Sequence, residues 1–276
     1  MDTRCFIAFA LCLAATACGN DSPSATDAGL SNEVPDAQIV ADAAGETPDA
    51  AFAGGPALSC LGDAAPSTAA DSIELSGALF DTSTIPVATL AGVTIELRRR
   101  GDDGLLDTAV TDDDGRYAFE ISTGGVPVDA YFAVAADGFL PVRAFPPHPF
   151  VASFEVPLAI ATTAVVDAWY AQLGTARDDS SGALIVFARD CEESAIEGST
   201  VTSLPAGDAI GYWDDKAQAW DTSPAISNGF SLIANLPPGS IEVTVAHDTI
   251  ELPAAMLDVP AGALTIAVVD PLAPGR

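Results

Sequence analysis

The chain has 276 residues, enough for one large domain or for two of about 100 residues each. Its 39 acidic and 10 basic side chains give a formal charge of −29, which excludes binding to nucleic acid or anionic head groups through a basic surface. Apolar residues make up 49% and the mean hydropathy is +0.32, so full disorder, which pairs high charge with low hydrophobicity, is excluded as well.

Met1 to Asn20 read as a secretory signal. A short n-region carries Arg4, and Cys5 to Ala15 form an apolar run too short to span a bilayer as a helix. Ala15-Thr16-Ala17-Cys18 then places small residues before a cysteine. This resembles the lipobox of bacterial lipoproteins, with Ala15 at the position where Leu is usual. The resemblance implies cleavage after residue 17 and acylation of Cys18, so that the membrane is a partner through a lipid anchor. Gly19 follows in place of an aspartate retention signal, which points to the outer membrane or cell surface. Plain cleavage and secretion is the alternative.

Gly19 to Ala70 hold no Lys or Arg and eight acidic residues, and no periodicity persists there. Residues 18–70 are therefore expected to be the lipidated cysteine and a disordered, self-repelling tether. At Ser72 the pattern changes. Ile73, Leu75, Ala78 and Phe80 lie in a strand-like run, and Val93, Ile95 and Leu97 alternate with Thr94, Glu96 and Arg98. Leu105 to Thr111 and Arg116 to Ile121 flank Asp114-Gly115, a hairpin signal. Tyr131 to Ala135, Leu140 to Ala144 and Ser153 to Leu158 complete about seven short strands, the spacing of a β-sandwich.

The pattern then repeats. Ser76-Gly77-Ala78-Leu79 recurs as Ser181-Gly182-Ala183-Leu184, Gly92-Val93-Thr94 as Gly198-Ser199-Thr200, and the strand after Gly115 as the one after Gly229. Between the copies, Val166, Trp169, Tyr170 and Leu173 fall at i, i+3, i+4 and i+7, with Gly174 as a stop; this predicts a short amphipathic helix packed on the sandwiches. The predicted fold is all-β: two tandem transthyretin-like or immunoglobulin-like sandwiches, at 71–160 and 181–276, joined by a helical linker at 161–180. Each copy is expected to carry its own core.

The first copy shows Gly77-Ala78-Leu79, Gly92-Val93-Thr94-Ile95, Thr111-Asp112-Asp113-Asp114-Gly115-Arg116-Tyr117-Ala118-Phe119 and Ala135-Ala136-Asp137-Gly138-Phe139. In these motifs it resembles the carboxypeptidase regulatory-like domain. Asn235-Leu236-Pro237-Pro238-Gly239 is the most family-like run of the second copy. The resemblance implies a non-catalytic accessory or structural domain.

Cys5 and Cys12 leave with the signal and Cys18 is the anchor, so Cys60 and Cys191 remain as an even pair in an oxidising compartment, expected to form a disulfide. His148 and His247 have no ligand-type neighbours at metal spacing, and no metal or other cofactor is expected. Asp112-Asp113-Asp114 are consecutive rather than alternating, so a solvated turn tip is favoured over a calcium loop. Asp81-Thr82-Ser83 and Asp221-Thr222-Ser223 resemble the turns of aspartic proteases, but with Ser where that turn wants Gly, and no catalytic residue is assigned. Tyr212, Trp213 and Trp220 cluster near Asp214, Asp215 and Asp221, an arrangement suited to stacking on sugar rings or to closing the end of a sandwich. The expected function is a non-enzymatic cell-envelope lipoprotein with a structural or protein-interaction role. A surface carbohydrate-binding module is the alternative, and the partner, protein or glycan, stays unnamed.

Overall fold

The computed structural model describes residues 55–84 and 86–273. The expected signal, Cys18 and most of the expected tether lie outside these residues. From Pro56 onward the described chain is a single unit. It is all-β apart from one α-helix and a single 3-10 turn.

The first copy opens with β1 (Ser72–Asp81), whose side chains alternate between core and surface over its whole length. Ile73 and Leu75 are buried while Glu74 is exposed, the period-two signature of a strand with one wet face. β1 pairs antiparallel with β2 (Ala88–Thr89) and β5 (Arg116–Ser122), and parallel with β8 (Phe154–Glu155) and β9 (Leu158–Ile160). The facing sheet holds β3 (Thr94–Arg99), β4 (Leu105–Val110), β6 (Ala130–Val134) and β7 (Val142–Phe145). Ile95 and Leu97 of β3, Tyr117 and Phe119 of β5, and Phe132 and Val134 of β6 meet between these sheets.

The second copy rebuilds the central pairings of this scheme. β10 (Gly182–Ala188) pairs antiparallel with β14 (Phe230–Leu236) and parallel with β18 (Leu264–Val269), as β1 does with β5 and β9. β15 (Gly239–His247) pairs with β11 (Thr200–Leu204) and β17 (Ala255–Val259), as β6 does with β3 and β7. β16 (Ile250–Glu251) adds two residues at the end of β15. The longer insertion before Gly229 forms β12 (Ala209–Asp214) and β13 (Ala219–Asp221). β12 pairs with β14, whereas β4, at the equivalent place in the chain, pairs with β3 in the opposite sheet.

One contact changes the architecture. β18 of the second copy also pairs in parallel with β7 of the first, from Leu264 opposite Val142 to Ala267 opposite Phe145. The two half-sheets thereby become one nine-stranded sheet, β13-β12-β14-β10-β18-β7-β6-β3-β4. One core joins residues of both copies, from Ile73 and Phe119 to Ile185, Leu232 and Val268. A second core, with Leu184, Ile233, Ile241 and Val243, lies under the sheet of β11, β15 and β17. The repeat predicted from sequence is present, and its copies share a sheet and a core.

The helix, α1 (Thr163–Gln172), occupies the predicted residues and buries Val166, Trp169 and Tyr170. Its chain reverses at Leu173 and Gly174, where Gly174 takes φ +72°, a conformation glycine adopts without a Cβ clash.

The shared core corrects the expectation that each copy carries its own, and two more expectations need correction. Asp114-Gly115 does not turn a hairpin, because β4 pairs with β3 and β5 with β1; the turn carries the chain from one sheet of the sandwich to the other. Both flanking strands alternate in the same way whether they pair with each other or face each other, so the pattern alone did not separate the two. The expected disordered tether over 18–70 is also corrected for its last residues. Residues 57–70 lie along the body as a strap, hydrogen-bonded at Cys191, Pro271, Gly125 and Val151.

Candidate functional site

The aromatic cluster of the insertion stands inside the molecule. Trp213 and Trp220 are each 3% exposed and Tyr212 is 6% exposed. Trp213 and Trp220 lie opposite each other on β12 and β13 and pack edge to face at 5.3 Å; Trp169 of α1 packs on Trp220 at 6.2 Å. The Gln172 side-chain oxygen accepts the Trp220 backbone N–H, which fixes the helix to the insertion. No open ring face is left for a sugar. The sugar-stacking assignment of Tyr212, Trp213 and Trp220 is therefore corrected: Trp213 and Trp220 close the core between helix and sheet, and Tyr212 is buried in the second core, where its hydroxyl accepts the Val201 amide.

The acidic motifs hold turns. Asp112 accepts the amides of Asp114 and Arg116, so the three-aspartate run is a capped, exposed turn rather than a converging ligand set. Asp81 and Asp221 each accept the amide of the serine two residues on. The two carboxylates thus do the same local work in different sheets, and nothing pairs them. Among the described residues no group of three or more His, Cys, Asp or Glu is placed to hold a metal ion.

The disulfide between Cys60 and Cys191 is present, with an S–S distance of 2.03 Å and 5.8 Å between the Cα atoms. It sits in the strap. Asp190 accepts the amide of Ala57 as well as those of Glu192 and Ser194. Gly62 donates to the Pro271 carbonyl, and Ala273 donates to that of Asp63. The strap is thus fastened to the ends of both β10 and β18 before it reaches the first copy.

A polar cluster beside this strap carries no sequence signal, since its members are up to 122 residues apart. His148, in the loop after β7, meets the carboxylate of Asp270 at 2.6 Å. Arg189, at the end of β10, donates to the other oxygen at 3.2 Å, and Leu272 donates its amide. Burial alone would raise the pKa of Asp270. The hydrogen bond and charge of His148, with those of Arg189, outweigh it and hold the carboxyl below its ordinary value. The cluster ties a loop of the first copy to two strands of the second. A similar link lies on the far side of β7, where Arg143 pairs with Asp258 and stacks on Tyr131 at 5.3 Å.

An open cleft of about 540 Å³ beside β1 and β5 is lined by Glu74, Ser76, Arg116, Tyr117 and Glu155, with Val110 of β4. Glu74 stands directly opposite Glu120 across β1 and β5. Tyr117, part of this lining, donates its hydroxyl to the Val156 carbonyl at 2.5 Å, and burial raises its pKa well above the usual value.

No family model matches the chain, and no curated protein matches it. Solved structures similar to it include 3-chlorocatechol 1,2-dioxygenase from Rhodococcus opacus 1CP, at 12% identity over 41% of this chain and 69% of that one, with a TM-score of 0.26. The shaft pilin SpaA from Lactobacillus rhamnosus GG matches at 10% identity over 74% of this chain and 98% of that one, TM-score 0.23. The TIE protein of Bacillus anthracis matches at 9% identity over 72% and 34%, TM-score 0.22. At these TM-scores the likenesses carry no argument about this chain. Among the described residues no helix is long and apolar enough to cross a membrane.

Proposed function

We propose that this chain is a non-enzymatic cell-envelope lipoprotein, anchored by a lipid on Cys18, whose paired sandwiches serve as a structural or protein-interaction module at the cell surface. The observation that carries this reading is the Cys60–Cys191 disulfide. Such bridges persist in oxidising compartments outside the cytosol. This one fastens the body to the segment that leads back to Cys18. The arrangement of the polar side chains agrees with it, since Asp81, Asp112, Asp190 and Asp221 all serve backbone amides. The repeated Gly77 and Gly115 motifs support placing the first copy with the carboxypeptidase regulatory-like sandwiches, an accessory class without catalysis of its own.

The test is detergent phase separation of cells producing the full chain. The wild type is expected in the detergent phase, and Cys18→Ala in the aqueous phase or unprocessed. A wild-type protein in the aqueous phase would overturn the anchored reading.

A further inference from the structure

We draw no further inference here: the strongest candidate, the open cleft beside β1 and β5 where Glu74, Glu155 and Arg116 stand beside exposed Val110, rests on a cluster of acidic side chains with nothing in the structure to show what covers it.

Discussion

Gly77 and Gly182 occupy the same place in the two copies and are held there by the same contact. A Cβ on Gly77 would lie 2.0 Å from the Val156 carbonyl oxygen, and one on Gly182 would lie 2.6 Å from that of Pro260. In each case a neighbouring segment of backbone crosses the strand where a side chain would stand. Gly92 and Gly115 separate this effect from backbone conformation. Their φ angles are nearly equal, +71° and +75°, yet a Cβ on Gly92 meets open space while one on Gly115 lies 2.6 Å from the Thr89 Cβ. Gly92→Ala should therefore cost only the left-handed strain, about 1 kcal/mol. Gly115→Ala and Gly77→Ala should each cost about 1–3 kcal/mol more, because packed backbone must move. Urea denaturation of the three variants checks this, and equal losses would show that close approach plays no part. All these glycines were legible as repeat positions. The reason for Gly77 was not, because the crossing segment lies 79 residues further along the chain. The Trp213–Trp220 pair left two readings open for a similar reason: an insertion rich in aromatics reads alike whether its rings face solvent or a helix.

At the level of elements, periodicity located most strands of the first copy and the helix, but it marked neither β12 and β13 of the insertion nor β17 and β18 of the second copy. Val166, Trp169 and Tyr170 mark a buried stripe in the sequence, and that stripe is the buried one. What periodicity does not carry is the partner of each strand. Alternation says which residues face inward, and β5 turns Tyr117 and Phe119 inward whether it pairs with β4 or with β1. The turn delivers the chain to β1, and the core then holds it there. Asp112 holds the amides of Asp114 and Arg116, and the Gly115 carbonyl accepts the amide of Leu79, which docks the chain onto β1. In the second copy Ala188 donates to Gly229 in the same way, although no aspartate run precedes it. Asp112→Ala removes two exposed acceptor contacts and should cost about 1–2 kcal/mol. It should leave the β1–β5 register intact, since the buried side chains set it. Amide hydrogen exchange would show faster exchange confined to residues 112–116. Loss of protection throughout β5 would mean that the turn, rather than the core, holds the strand.

For the whole molecule, the repeat in the sequence suggests two independent sandwiches, and the structure merges them. The β7–β18 pairing, the common core, the strap and the His148–Asp270–Arg189 cluster all cross from one copy to the other. None of these contacts has a local signature, because each joins residues far apart in the chain. The polar cluster gives the junction a pH dependence. Because the folded state lowers the pKa of Asp270, the carboxylate stabilises the fold above the unfolded value of about 3.9. That contribution disappears as pH falls below this value and through the lowered one. Asp270→Asn should be less stable than the wild type at neutral pH and should show a shallower decline in melting temperature from about pH 4 downward. Parallel declines would mean that the cluster does not bind Asp270 in its charged form. Shared sheet and shared core together make one cooperative unit of the body. Differential scanning calorimetry of the disulfide-bonded protein tests this most directly. The account predicts a single transition whose calorimetric and van't Hoff enthalpies agree, shifted as a whole by Phe119→Ala in the first copy. Two resolved transitions, with only one displaced by that substitution, would contradict it.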